Sequence, residues 1–203
     1  MKKIIKYLFL LTGGSFILAS CNDFLDREPL DSVTPDNFFF TENDLAAYAV
    51  KHYNFTTHEG FNAGIWRNDN ATDNQAATDY DKKWIPGQWK VPEAYDNPAS
   101  NDPWYFSAIR EANYFLETVV PRFEKGEIEG SETNIKHYIG EMYFLRAKNY
   151  LSKLETFGDF PIIKNTLPDE SVSLIQASKR EPRHKVARFI LEDLDLAIGL
   201  LTN

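Results

Sequence analysis

Apolar side chains recur at helical spacing in four stretches of the chain and are scattered elsewhere. Thr41-Glu42-Asn43-Asp44 opens the first, with Thr41 placed to cap a helix and Asp44 placed to return the bond. Leu45, Tyr48, Ala49 and His52 share one face, which predicts a helix to about His52. Asp102-Pro103 predicts the next start, an acidic cap followed by a residue whose missing N–H does no harm in a first turn. Trp104, Ala108, Ile109, Ala112, Phe115, Leu116 and Val119 then repeat at helical spacing until Pro121.

Ser131 is placed to cap a longer helix that reaches about Phe157 and stops at Gly158, with Pro161 beyond. Its apolar residues fill more than one face: Ile139, Tyr143, Ala147, Tyr150 and Leu154 on one side, Met142, Phe144 and Leu151 elsewhere. A helix apolar on two sides packs between two neighbours, as in a stacked repeat. The last helix, roughly Pro182 to Leu201, is predicted to turn Val186, Phe189, Ile190, Leu194, Ala197 and Ile198 inward. Glu192, Asp193 and Asp195 are predicted to face outward. Residues 54–102 carry no sustained period and are dense in Asn, Asp, Gly and Pro, and an ordered loop of that length tends to be functional. The fold class is therefore all-α with one long loop insertion.

The opening of the chain follows a different pattern. Met1-Lys2-Lys3-Ile4-Ile5-Lys6 is basic, and Tyr7 to Leu18 is apolar but broken by Thr12, Gly13, Gly14 and Ser15. That layout is a secretory signal, too short and too interrupted for a spanning helix. Leu18-Ala19-Ser20-Cys21 then looks like a bacterial lipobox: small residues for the peptidase and a thiol to carry diacylglyceride. Residues 1–20 are thus expected to be a lipoprotein signal peptide and residues 21–203 a helical domain lipid-anchored at Cys21. Several acyl chains, at about 0.8 kcal/mol per buried methylene, anchor durably where one is reversible. From Cys21 to Thr41 the chain reads as an extended tether with Pro29 and Pro35, ending in Phe38-Phe39-Phe40, which must dock onto the body to avoid exposure.

Charge and cysteine usage narrow the partners. Loss of Lys2, Lys3 and Lys6 with the signal takes the formal charge from −8 to −11, which argues against nucleic acid or anionic lipid as the main partner. With 43% hydrophobic and 14% aromatic residues the chain can bury one sizeable core. Cys21 is its only cysteine, so packing alone must hold the fold.

Four stretches in order resemble the SusD/RagB family: Cys21-Asn22-Asp23-Phe24-Leu25-Asp26 with Pro29, WYFSAIREANYFL from Trp104, EMYFLRAKNYLSKLETFGDFPI from Glu141, and Arg180 to Leu201 with Phe189 to Ala197 at its centre. Each motif is weak alone, and the ordered set after a lipobox is specific. The resemblance implies a tetratricopeptide-like helical scaffold without catalytic activity. It also implies a surface-facing outer-membrane lipoprotein that binds an oligosaccharide, or in some relatives a peptide, for a TonB-dependent transporter. Family members are longer than this chain, so the reading is of an N-terminal portion, truncated relative to the family, whose last helix lacks its cover.

Sugars offer apolar C–H faces rimmed by hydroxyls, so their sites pair flat aromatics with amides and carboxylates. Within the long loop, Asn70, Asp73, Trp84 and Trp89 are the candidate ligand-binding residues, and Trp66 and Arg67 lie nearby. The plainer reading is that these tryptophans plug the loop onto the helices. Asp69, Asn70, Asp73, Asp79 and Asp81 do not make a calcium loop, because Ala71 stands where a ligand is needed and no glycine follows. Arg146, flanked by Phe144, Leu145 and Ala147, is expected to be buried against a carboxylate such as Asp159 or Asp193. His52, His58, His137 and His184 show no metal-ligand spacing, and no nucleophile or phosphate-loop motif is present. No catalytic residue, metal or cofactor is expected. A glycoside hydrolase is the rival enzyme class, and a helical scaffold that binds only protein partners is the alternative to nutrient binding.

Overall fold

The computed structural model describes residues 38–53, 85–88, 90–92 and 103–201. Helix α1 spans Glu42–Val50, α2 Ser107–Lys125, α3 Glu132–Phe157, α4 Ser171–Ala177 and α5 Arg183–Leu200. Extended pairing among the described residues is limited to two isolated bridges, Thr41 with Glu129 and Phe160 with Glu181. The all-α architecture expected from the periodicity is what forms, and no described helix is long and apolar enough to cross a membrane.

The capping box at Thr41 closes both ways: Asp44 N donates to Thr41 Oγ1 at 3.2 Å, and Thr41 N donates to Asp44 Oδ2 at 2.9 Å. Helix α2 differs from expectation at both ends. It begins at Ser107, because Trp104 and Phe106 leave the helical path to pack on Phe157 and Phe160 at centroid distances of 4.1 and 5.2 Å. It runs through Pro121 to Lys125, since the ring sits on the exposed face and forfeits only one backbone bond. Gly126, at φ 69°, then stops it in the left-handed conformation.

Ser131 does not cap α3 with its side chain. The carboxylate of Glu42 does so from α1, accepting from Ser131 N at 2.8 Å and Asn134 Nδ2 at 2.6 Å. Those two donors hold the Glu42 carboxyl below its ordinary range. Gly130 permits the approach: it stands at φ 139°, and a Cβ there would lie 2.5 Å from Glu42 Cβ.

Helix α3 is the central element and packs against α1, α2 and α5. Asn113 and Arg146 meet across α2 and α3, and Arg146 and Asp193 meet across α3 and α5. Further along, Gly140 lies beside Ala197 and Leu200, and Tyr150 beside Phe189, so successive long helices run antiparallel. A Cβ on Gly140 would stand 3.1 Å from Leu200 Cβ and 3.2 Å from Ala197 O, which leaves little room for a side chain there. Helix α3 feeds two apolar clusters, its N-terminal half the first and its C-terminal half the second, while Phe144 and Leu151, expected on a second apolar side, are exposed. The first cluster gathers Phe39, Leu45, Ala49, Phe115, Val119, Ile139 and Met142, and the second Ile109, Ala147, Tyr150, Phe157, Phe160, Val186 and Phe189.

The phenylalanine run does dock. Phe39 is fully buried, edge-on to Phe38, Tyr48 and Phe115, and held at φ 70°, a conformation that non-glycine residues rarely adopt. Phe40 stays half outside with the Arg122 guanidinium 4.1 Å from its centroid.

Helix α5 corrects two assignments. Asp193 is buried rather than outward, and Ile198 is 72% exposed rather than inward. The stripe that faces α3 runs through Val186, Phe189, Ile190 and Ala197, and Asp193 falls in phase with it while Ile198 falls one residue past it. Leu191, Leu196 and Ile198 are exposed, Leu191 and Ile198 two turns apart on one side and Leu196 on another. Helix α4 was not foreseen: it is short and none of its residues is buried.

Candidate functional site

The described part of the site is organised around one buried guanidinium. Arg146, 6% exposed at the middle of α3, grips Asp193 through both oxygens, Nε to Oδ2 and Nη2 to Oδ1, each at 2.8 Å. Its Nη1 donates to Asn113 Oδ1 at 2.9 Å and to the Lys164 carbonyl at 3.3 Å. The rings of Tyr143 and Phe189 lie 5.4 and 5.3 Å from the cation. A buried ion pair is tolerable only when its remaining donors and acceptors are matched, as they are here. Of the two partners foreseen for Arg146, Asp193 is the one used. Asp159 instead accepts from Arg183 N at 2.8 Å and steadies the start of α5.

From this hub the segment after α3 is laid across the helices. Asn113 Nδ2 donates to the carbonyls of Ile163 at 2.8 Å and Asn165 at 3.4 Å. Tyr150 Oη accepts from Ile163 N at 2.8 Å and donates to Ile163 O at 3.1 Å. Burial pushes the Tyr150 phenol up to about 12, so it stays protonated and keeps donating.

Above the hub, a cavity of about 350 Å3 opens between the start of α2, the 161–167 segment and α4. Trp104, Phe106, Pro161, Ile163, Leu167 and Leu174 make its walls apolar, while Arg110, Asn113, Asn165 and Ser178 add polar atoms. Trp104 also touches the long loop, for its Nε1 donates to Pro92 O at 2.9 Å, and the Arg180 guanidinium lies 4.8 Å from its centroid.

Of the residues singled out from sequence, Cys21, Asn70, Asp73, Trp84 and Trp89 lie outside the described residues, as do the aspartates weighed for calcium. Neighbouring loop residues 90–92 are described, and Pro92 binds Trp104. Sequence reasoning missed Trp104 as a cavity wall, Arg110 at its mouth and Asn113 in the hub. Asn113 did carry a signal. It interrupts the apolar face of Ile109, Ala112 and Leu116, and an amide there must be fully hydrogen-bonded.

Away from this hub, His52 faces Glu111. Its Nδ1 is 3.5 Å from Glu111 Oε2, while Nε2 is buried without a partner among the described residues. Burial lowers its pKa, opposed by Glu111 and reinforced by Lys51. Among the described residues no group of three or more His, Cys, Asp or Glu could hold a metal ion.

Comparisons with known proteins agree on one lineage. The chain is 26% identical over 186 residues to SusD-like protein P2 of Formosa agariphila, covering 89% of this chain and 35% of the relative. It is 27% identical over 206 residues to SusD-like protein P38 of the same organism, covering 98% of this chain and 37% of the relative. It therefore spans about a third of the length of these relatives. A crystal structure of a SusD-like protein from Bacteroides fragilis superposes with a TM-score of 0.56 at 24% identity, over 86% of this chain and 32% of that one, which shows the shared tetratricopeptide-like helical fold. Residues 23–203 match the family SusD-like_3, described as starch-binding associating with outer membrane, and the chain belongs to that SusD-like family.

Proposed function

We propose that this chain is a noncatalytic, glycan-binding protein of the outer membrane, anchored through acylated Cys21 and delivering its ligand to a TonB-dependent transporter. The observation that carries the reading is the family match, which starts two residues after Cys21 and runs to Asn203. The lipobox supports anchoring, and the acidic mature chain supports a partner other than nucleic acid or anionic lipid. Asn70, Asp73, Trp84 and Trp89 would supply stacking and hydroxyl contacts from the long loop. The hub at Arg146 serves as scaffold, since each polar atom it offers is already matched within the fold.

Membrane fractionation followed by affinity capture of the acylated chain tests the proposal. Outer-membrane localisation with a co-purifying β-barrel transporter supports the proposal. Recovery in the soluble fraction with no barrel refutes it.

A further inference from the structure

We propose that the cavity beside Trp104 is a binding site for a small carboxylate with a branched aliphatic or aromatic body, distinct from the glycan contacts of the long loop. The volume of about 350 Å3 suits a ligand the size of an acylated leucine or phenylalanine. Its walls are mostly apolar, so most of a ligand's surface would lie against carbon.

The polar atoms at the rim determine the head group. Asn113 is spent, its amide donating to Ile163 and Asn165 and its oxygen accepting from Arg146. Ser178 donates its hydroxyl proton to Ile175 O. What is left among the described residues is Asn165 and the Arg110 guanidinium, an exposed group whose described bond is one 3.3 Å contact from Nη1 to Leu167 O. Four of its five N–H donors stay available. One cation and one amide can satisfy one head group, whereas a sugar would bring a whole rim of hydroxyls needing partners.

Charge complementarity selects an anion. The lining contains no aspartate or glutamate, and a second cation, Arg180, lies over the Trp104 ring. A planar carboxylate matches the guanidinium fork in two parallel bonds. Helix α4 gives an independent reason for an occupant. None of its residues is buried, yet Leu174 lines the cavity, so an apolar body beneath would supply packing that α4 lacks.

The test titrates N-acetyl-leucine, N-acetyl-phenylalanine and N-acetyl-leucinamide into the isotopically labelled chain, following the Trp104 indole N–H and the Leu174 methyls by NMR. The acids should move both signals with a dissociation constant on the order of 1 mM. The amide, which keeps shape and loses charge, should bind about tenfold more weakly. Arg110→Gln, at an exposed position, should bring the acid down to the amide's affinity, and Arg110→Lys should recover part of it. Added maltooligosaccharide should leave the acid titration unchanged. Equal binding of acid and amide overturns the proposal without needing any variant. So do acids that leave Trp104 and Leu174 unmoved, or displacement of the acid by the sugar.

Discussion

Replacing Asp193 by alanine removes both acceptors of the Arg146 fork and leaves a guanidinium 6% exposed against Tyr143 and Phe189. Asn113 Oδ1 and the Lys164 carbonyl cannot neutralise it, because each offers only a dipole. Breaking one side of a buried pair typically destabilises by about 3–5 kcal/mol. Against a stability of about 5–15 kcal/mol that is a large share of the total. For a chain of this size each kcal/mol shifts the melting midpoint by about 2–4 °C, so Asp193→Ala should lower it by roughly 10 °C. Replacing both partners, Arg146→Met with Asp193→Leu, removes the stranded charge and should return most of the loss. A residue of about 1–3 kcal/mol should remain, because Asn113 Oδ1 loses its donor. Thermal and urea melts followed by circular dichroism of the parent, Arg146→Met, Asp193→Leu and the double variant close the cycle. A single variant that melts within about 2 °C of the parent, or a double variant as unstable as the two singles summed, would refute this account of the hub.

Phe39→Ala should destabilise by about 3–5 kcal/mol in urea melts, since a fully buried ring joins the first cluster to α1 and α2. His52 titrates with its folded pKa below the ordinary 6.5, so the unfolded chain binds the extra proton first. Its contribution is therefore present above pH 6.5 and is lost as pH falls through 6.5 toward the folded value, and His52→Gln should flatten that part of the stability profile. Cys21→Ser should abolish labelled fatty-acid incorporation and release the protein from membranes, and a mutant that still takes up label would end the lipoprotein proposal.

The legible part of this fold was the part governed by periodicity and punctuation. Gly158 ended α3 where expected, and the Thr41 box formed as drawn. What escaped was decided by partners distant in sequence. Glu42 took the capping role from Ser131 because α1 lies against the α2–α3 turn. Trp104 and Phe106 left the helical pattern to stack on Phe157 and Phe160, about fifty residues away. Asp193 carried two conflicting signals, a charge that favours the surface and a place opposite buried Arg146, and the bidentate pair across the α3–α5 interface decides for burial. Helix α4 has no apolar stripe committed to the core, so it left no period to detect. The glycan candidates rested on residue type alone, and Asn70, Asp73, Trp84 and Trp89 lie outside the described residues.

The most direct test of the central claim is native gel electrophoresis of the purified chain through gels cast with starch and other soluble polysaccharides. The account predicts retardation in at least one glycan gel, loss of that retardation in Trp84→Ala at unchanged helicity, and polysaccharide recovered at its original length. Mobility unchanged in every gel, or glycan recovered shortened, would contradict it.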